Sequence, residues 1–349
     1  MDTPTLPAII EDVEALEALL SHPTPELIES VSKLNGDITI LGVGGKMGPT
    51  LARLLKNTIN ASGKNYRVIG VDRFHEGSER VRQMIEDNGI ETVTCEMLEW
   101  DQLDALEKTP NVIYMAGFKF GSAQNEALTW AINTYLPGMV VQAFRGSRIT
   151  ALSSGNIYPF IPPSHGGSRE TDPVAPIGEY AQSTLGRERI FSYWSGATET
   201  PVTLVRLNYA AELRYGVLLD IAETVYRGEP VDVTMGAMNC IWQGDANTAI
   251  IQSLELAEAP PRVLNLTGPE TLSLRRVAGE FGRLFDLEAE YTGEEAETAL
   301  LNNAADCFKL YGLPKVNAYR IMEWIAHWVK KGNPTLSKPT HFQTRNGKF

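Results

Sequence analysis

The chain has 349 residues, of which 43% are hydrophobic and 21% are charged, a balance typical of a globular protein with a sizeable buried core. Its formal net charge of −12 argues against non-specific binding to nucleic acid or to an anionic membrane surface. The acidic N-terminus does not resemble a signal peptide, and no segment has the roughly 18 uncharged apolar residues of a membrane span. Because the three cysteines are few and widely spaced, we expect no disulfide framework and no metal site. These features predict a cytoplasmic protein that acts on a small molecule.

Residues 1–35 are predicted to be an N-terminal helical extension. Apolar residues at helical spacing indicate one short helix, and Thr24 followed by Pro25 is a typical start for a second one. No residue of this extension suggests a chemical role.

From Asp37 onward, short apolar strands alternate with helices. This alternation predicts an α/β fold with a Rossmann-type, doubly wound parallel sheet over residues 36–208, to which residues 240–260 return. The predicted strands are DITILGV, YRVIGVD, TVTCEM, NVIYMAG, RITALSS and VTLVRLN, and the predicted helices cover Thr50–Thr58, Glu79–Asn88, Asn125–Phe144 and Tyr180–Trp194.

The pattern becomes less regular after Asn208. Residues 209–330 contain predicted helices and a strand, VDVTM, and are interpreted as a smaller α+β substrate-binding lobe. Residues 331–349 are polar, basic and rich in glycine and proline, so we expect a mobile tail or one draped over a partner.

A glycine-rich turn carries the strongest local signal. Gly42, Gly45 and Gly48 lie between an apolar strand and an amphipathic helix, where a turn without side chains lets the backbone approach a pyrophosphate. Lys46 and Met47, in the same turn, are expected to lie on the phosphates. The turn therefore predicts a dinucleotide site.

The following strand ends in an acidic residue. Asp72 is placed to accept hydrogen bonds from an adenosine ribose, and its charge would repel a 2′-phosphate. NAD is therefore favoured over NADP as the cofactor. Arg73 is the opposing feature, since an arginine at this position can accommodate that phosphate.

The motif G-x-x-G-x-x-G and the segments that follow it resemble the NAD-dependent epimerase/dehydratase family of extended short-chain dehydrogenases/reductases. The resemblance covers about residues 37–328. By analogy with the family, Glu96 and Met97 lie beside the adenine, and Ala116 and Gly117 lie against the cofactor. The resemblance also implies a homodimer formed through the helices near Asn125–Phe144 and Tyr180–Trp194.

The segments ALSSGNIY and YAQST resemble the family's catalytic pair. They correspond to Ser154 and Tyr180, whose hydroxyls are then expected to converge on one substrate oxygen. Such a pair can pass a proton while a hydride moves to or from the nicotinamide, and Tyr180 would also contact the cofactor.

One residue departs from the family motif Y-x-x-x-K, because Thr184 stands where the lysine is expected. Thr184 can replace a hydrogen bond to the nicotinamide ribose but cannot replace the charge that lowers the tyrosine pKa. Three consequences are open: Tyr180 acts as a general acid, Lys119 after the fourth strand supplies the cation, or redox chemistry is lost.

Four further residues are candidates for substrate binding. His165 and Arg169 lie in the loop between the two catalytic matches, and Asn208 and Arg214 follow the sixth strand. The main hypothesis is an NAD-dependent oxidoreductase, epimerase or dehydratase acting on a carbohydrate, sugar-nucleotide or sugar-acid hydroxyl through a keto intermediate. The alternative is a non-catalytic NAD-binding regulatory or scaffold protein of the same fold.

Overall fold

The computed structural model describes residues 6–348, and its central feature is one seven-stranded sheet. The strands are β1 (Ile38–Leu41), β2 (Val68–Asp72), β3 (Glu91–Thr94), β4 (Asn111–Tyr114), β5 (Arg148–Ser154), β6 (Val202–Leu207), β7 (Ala210–Ala211), β8 (Val231–Asp232), β9 (Ala237–Met238), β10 (Ile241–Trp242), β11 (Arg262–Leu266), β12 (Leu272–Ser273) and β13 (Tyr291–Thr292). The helices are α1 (Val13–Leu20), α2 (Pro25–Ser32), α3 (Gly48–Ser62), α4 (Glu79–Asp87), α5 (Trp100–Asp104), α6 (Glu126–Trp130), α7 (Leu136–Ala143), α8 (Gly178–Thr198), α9 (Val217–Tyr226), α10 (Gln243–Gln252), α11 (Leu274–Phe285), α12 (Ala305–Tyr311) and α13 (Ala318–Lys330).

The sheet has the order β11-β6-β5-β4-β1-β2-β3, and every neighbouring pair is parallel. Strands β1 and β4 are buried along their whole length, as expected for a parallel sheet covered by helices on both faces. The prediction of a doubly wound α/β fold is confirmed. The chain order reverses between β1 and β4, and ligands of such sheets bind in the crevice beyond the carboxyl ends of the strands at that point.

Two apolar layers enclose the sheet. On one face the strands pack with α2, α3 and α10, through residues such as Val31, Leu51 and Ile250. On the other face they pack with α5, α7 and α8, through Leu103, Val140 and Phe191. Both α3 and α8 begin at the carboxyl edge of the sheet, so their first turns meet at the crevice.

The structure differs from the prediction in two elements. The sheet has a seventh strand, β11, which pairs with β6, whereas the sequence placed its residues in the second lobe of residues 209–330. The predicted helix over Asn125–Phe144 is interrupted by a π-helical turn at Ala131–Tyr135, between α6 and α7. Such turns often occur at functional sites.

The second lobe has its own apolar core, formed mainly by α9, α11 and α13. The N-terminal extension contributes to both cores. Its two predicted helices are confirmed, with the Thr24 hydroxyl accepting the backbone N–H of Leu27. Leu16 of α1 packs in the core of the second lobe, whereas Leu27 of α2 packs against the sheet layer.

The C-terminal segment, described here to residue 348, lies along the second lobe, although the sequence favoured a mobile or partner-draped tail. Thr340 donates hydrogen bonds from both its backbone N–H (2.7 Å) and its hydroxyl (2.6 Å) to one carboxylate oxygen of Asp220. Arg345 donates to the carbonyl and the hydroxyl of Thr298. Phe342 is buried in the lobe core. Within residues 6–348, no helix is long and apolar enough to cross a bilayer.

Candidate active site

In the glycine-rich turn after β1, Gly42 and Gly48 leave no room for a side chain, each for a different steric reason. Gly42 has φ +88°, and a Cβ there would lie 2.6 Å from the backbone nitrogen of Ala116. A Cβ on Gly48 would lie 2.1 Å from the carbonyl oxygen of Val43, so any side chain would push α3 off the turn. Gly45 is exposed, and the nearest atom to its Cβ position is 3.4 Å away. The backbone is thus bare where a phosphate would approach.

A cavity of about 230 Å³ lies on one side of this turn. At its far end the Asp72 carboxylate accepts the backbone N–H groups of Gly44 (2.9 Å) and Arg73 (2.8 Å). The Arg73 guanidinium lies 3.8 Å from the Glu96 carboxylate. Eight residues predicted to bind the cofactor line this cavity: Gly42, Gly45, Asp72, Arg73, Glu96, Met97, Ala116 and Gly117.

A second cavity, of about 290 Å³, continues from the first on the other side of the turn. The two cavities share the residues that line their junction, namely Gly42, Gly45, Met115, Gly117 and Phe118. Besides the shared glycines, the second cavity brings together six further predicted residues: Lys46, Met47, Gly48, Lys119, Ser154 and Tyr180. One continuous cleft therefore runs from Asp72 to the two candidate catalytic hydroxyls.

The two hydroxyls reach the cleft from different elements. Ser154 ends β5, where its hydroxyl accepts the backbone N–H of Asn156 (3.2 Å) and lies 3.3 Å from that residue's side-chain oxygen. Tyr180 is the third residue of α8, whose start at Gly178 places the phenol at the edge of the sheet. Because parallel strands and the helices that follow them present opposite ends to the same edge, residues 26 positions apart line one cavity.

Thr184 lies outside this cavity. Its side chain is fully buried, and its hydroxyl donates to the carbonyl oxygen of Tyr180 (2.7 Å), one helical turn back. The hydroxyl is therefore used within α8 and is not presented to a ribose. The lysine of the family motif has no replacement at this position.

Lys119 lies close to Tyr180. Its ammonium nitrogen is 5.5 Å from the centre of the Tyr180 ring and 5.6 Å from that of Phe120. Burial lowers the pKa of Lys119 to about 8. The cation that the sequence suggested as a substitute is thus in the same cavity as the phenol.

Asn133 holds the loop that carries Lys119. It is fully buried in the π-helical turn, where its side-chain oxygen accepts the backbone N–H of Phe118 and its amide donates to the Phe118 carbonyl, both at 2.8 Å. The same amide donates to the Ser183 hydroxyl (3.0 Å). Asn133 thus acts as a clamp between this loop and α8.

Arg187 is a residue of the cavity that the sequence did not single out. It follows Tyr180 by seven residues, or about two helical turns, so both lie on one face of α8. Its guanidinium donates to the Leu152 carbonyl (2.7 Å), the Asn133 side chain (2.8 Å) and the Asn133 carbonyl (3.3 Å). The seven-residue spacing from Tyr180 could have indicated Arg187, but the role of this residue follows from its contacts with β5 and with the π-helical turn.

Two phenols of the second lobe, Tyr209 and Tyr215, also line this cavity. The Lys46 ammonium donates to the Ala210 carbonyl (3.2 Å) and lies 3.7 Å from the centre of the Tyr215 ring. Burial lowers the pKa of Lys46 to about 7, and it raises the pKa values of the Tyr209 and Tyr215 phenols. Tyr209 has φ +43°, a strained conformation for a residue with a side chain. The Lys46 side chain thus points at the second lobe.

Four predicted substrate-binding residues line neither part of the cleft. His165 and Arg169 are exposed in the loop after β5. Asn208 is buried and donates to the side chain of Asn239, and Arg214 pairs with Glu17 and Glu212. For Asn208 and Arg214, the position after a strand end did not reveal the tertiary contacts that hold their side chains outside the cleft.

The model of the NAD dependent epimerase/dehydratase family matches residues 38–234. No curated protein sequence matches the chain significantly.

Several solved structures share the fold. UDP-glucuronic acid 4-epimerase from Bacillus cereus, in complex with NAD, is 16% identical, with a TM-score of 0.69 over 84% of this chain and 96% of that one. UDP-glucose 4-epimerase from Thermus thermophilus, also in complex with NAD, is 17% identical, with a TM-score of 0.68 over 84% and 99%. UDP-glucose 4-epimerase from Thermotoga maritima, with UDP-glucose, is 16% identical, with a TM-score of 0.69 over 85% and 99%.

Proposed function

The chain belongs to the NAD-dependent epimerase/dehydratase family, and on this premise we propose that it oxidises a hydroxyl of a carbohydrate-like substrate to a keto intermediate. The observation that carries the proposal is the single cleft in which the glycine-rich turn, Ser154 and Tyr180 meet. Epimerisation, dehydration and simple dehydrogenation share this first step.

The residues of the cleft fit NAD. The exposed backbone at Gly45 and the start of α3 would hold the pyrophosphate, and the Asp72 carboxylate would accept hydrogen bonds from the adenosine ribose. The ion pair of Arg73 with Glu96 leaves Asp72 as the dominant charge near the ribose, which favours NAD over NADP. NAD bound here would supply a hydride acceptor for the carbon that carries the substrate hydroxyl.

The proton of that hydroxyl would pass to Tyr180. The Ser154 hydroxyl would donate a hydrogen bond to the same oxygen, which orients it and stabilises its developing charge. Lys119, whose ammonium nitrogen lies 5.5 Å from the centre of the Tyr180 ring, would stand in for the missing motif lysine. Tyr180 and Ser154 are thus proposed as catalytic residues, and Lys119 as a positioning residue beside Tyr180.

A second candidate function is an NAD-binding protein without catalysis. The fully buried Thr184, with its hydroxyl bonded inside α8, is the observation that favours it. The two functions separate in two variants. Turnover by the parent chain that disappears in Tyr180→Phe excludes the second candidate, whereas turnover that arises only in Thr184→Lys supports it.

We also propose a cytoplasmic homodimer that acts on sugar-nucleotides or sugar-acids. Large aromatic residues are exposed on the two helical segments that the family uses for pairing, namely Trp130, Tyr135 and Tyr193. The solved epimerases named above carry UDP-glucose or are named for UDP-sugars. Light scattering of the purified protein would test the dimer.

The first experiment concerns the cofactor. Purified protein is denatured, the released small molecules are analysed for NAD, NADH and NADP, and the stripped protein is titrated with each. Stoichiometric NAD(H) supports the proposed site and, because a retained cofactor must be regenerated in each cycle, favours epimerisation or dehydration. The proposed function would be contradicted if the purified protein retained no NAD(H) and the stripped protein bound none on titration.

A further inference from the structure

The larger of the two cavities that form the cleft is lined by positive charge, in contrast to the negative charge of the whole chain. Its described lining includes three cationic side chains, Lys46, Lys119 and Arg187, and contains no aspartate or glutamate, although the chain as a whole carries −12. Arg187 already donates to three protein acceptors. The two lysines come from different elements, the glycine-rich turn and the loop after β4, and the charge of Lys119 adds to burial in lowering the pKa of Lys46.

Lys46 is the more informative of the two. An ammonium group has three N–H donors, and the Ala210 carbonyl is the acceptor within hydrogen-bond distance among residues 6–348. The nearest carboxylates are engaged elsewhere, since Glu212 bonds Arg214 and Asp220 bonds Thr340. A partly desolvated ammonium in this setting is costly without an anion.

We propose that the substrate is acidic and that Lys46 binds its anionic group, a carboxylate or a phosphoryl group, on the side of the cavity that faces the second lobe. The inference rests on the proposed function, because it takes the cavity to be the substrate site. Lys119 adds positive charge to the same cavity.

The position of the Lys46 side chain separates this role from cofactor binding. The side chain leaves the glycine-rich turn for Ala210 and Tyr215, whereas a pyrophosphate on the turn would be bound by backbone N–H groups. A neutral substrate would displace water from the Lys46 ammonium and give it no charged partner. An anion supplies charge-assisted hydrogen bonds in place of the lost hydration.

The first test is amine labelling read residue by residue by mass spectrometry. Protein saturated with NAD is treated with a limiting amine reagent, alone and with millimolar D-glucuronate, D-glucose, inorganic phosphate, UDP-glucuronate or UDP-glucose. Exposed Lys64, before β2 at the opposite edge of the sheet, is the internal control.

We expect acidic probes to slow the labelling of Lys46 and to leave Lys64 unchanged. Slowing by the two glucuronates but not by UDP-glucose identifies a carboxylate. Slowing by phosphate and equally by both UDP-sugars identifies a phosphoryl group. No slowing by any probe, slowing by D-glucose equal to that by D-glucuronate, or full protection by NAD alone would overturn the proposal.

Two variants give an independent test. Lys46→Met keeps the length of the side chain and removes its charge, so the affinity for the protecting probe should fall about 10-fold to 100-fold, whereas Lys46→Arg should retain most of it. NAD affinity should be unchanged in both variants. Equal probe affinity in Lys46→Met and the parent would refute the role of Lys46.

Failure of the proposed function has a different signature. It would appear as absence of NAD binding by the parent chain, and the labelling experiment, repeated without NAD, would still decide whether the cavity binds anions.

Discussion

The two ends of the cleft are built in different ways. At the cofactor end, a contiguous glycine-rich turn and the ends of neighbouring strands supply bare backbone and the carboxylates of Asp72 and Glu96. At the substrate end, the glycine-rich turn, the loop after β4, the segment after β6 and α8 supply cations and phenols, and the C-terminal segment contributes Thr340. The first end follows from local geometry that any dinucleotide fold must have, and the second depends on packing between distant parts of the chain. The chemistry particular to this protein therefore lies at the substrate end.

The largest expected effect is at the substrate end. Tyr180→Phe removes the proposed proton acceptor, and turnover should fall about 10²-fold to 10⁴-fold while NAD affinity stays the same. Steady-state kinetics and NAD titration measure the two quantities. Tyr193→Phe, at an exposed position of the same helix, is the control and should keep parent turnover. Parent-like turnover in Tyr180→Phe would mean that Tyr180 is not the proton acceptor at the substrate end of the cleft.

The cofactor end can be tested through its glycines. Gly48→Ala forces a methyl group to within 2.1 Å of the Val43 carbonyl, and we expect a loss of about 3 kcal/mol or more in the free energy of unfolding. Gly45→Ala meets no atom nearer than 3.4 Å and should change stability by less than about 1 kcal/mol. Denaturant titration of the matched pair gives the comparison. Equal losses in the two variants would argue against the close approach at Gly48.

The junction of the two ends depends on Asn133. Asn133→Ala removes the partners of the partly buried backbone groups of Phe118, and we expect a loss of about 1–3 kcal/mol in the free energy of unfolding. Turnover should also fall, because the loop that carries Lys119 loosens. Asn88→Ala, which removes one bond within its own turn to Met84, is the control. A variant with parent stability and turnover would rule out the clamp.

The smallest effect concerns the pH dependence of stability. The pKa of Lys46 falls from 10.5 to about 7 on folding, so the unfolded state binds more protons between these values, and stability declines as the pH falls towards 7. Lys46→Met removes that penalty and should be more stable than the parent by about 1 kcal/mol below pH 7. Thermal unfolding at several pH values should show this advantage narrowing as the pH rises above 7. An advantage that grows with pH would have the wrong sign.

The sequence predicted the features that local patterns encode. Short apolar runs that alternate with helices predicted six of the seven strands of the sheet, and the spacing of the glycines located the turn after β1. The pair Ser154 and Tyr180 could be found because each follows a recognisable strand or opens a helix. Strand β11 was missed because its short apolar run is followed by turn residues that suggest a lobe boundary.

The sequence did not reveal the roles of residues whose polar side chains are used in contacts within the folded chain. The contacts of Lys46 with Ala210 and Tyr215 join positions more than 160 residues apart. Thr184 was a candidate for the ribose because it stands at the position of the motif lysine, and its bond to Tyr180 within α8 cannot be read from that motif. Arg214 was a candidate for substrate because it follows the sixth strand, whereas its pairing with Glu17 joins positions 197 residues apart. Burial and pairing of polar side chains are tertiary properties, and strand or helix patterns do not encode them.

The N-terminal extension limits how the cleft can open. Its helices α1 and α2 are joined by a short connection but belong to different cores, one in each lobe. Glu17 pairs with Arg214 of the second lobe (2.7 Å), and the Pro7 carbonyl accepts the indole N–H of Trp324 (3.0 Å). A hinge rotation that separated the lobes would have to break these contacts or strip α2 from the sheet. Exchange of substrate and product should therefore proceed by local movement of the loop after β4 and of the C-terminal segment, while the lobes keep a fixed mutual orientation.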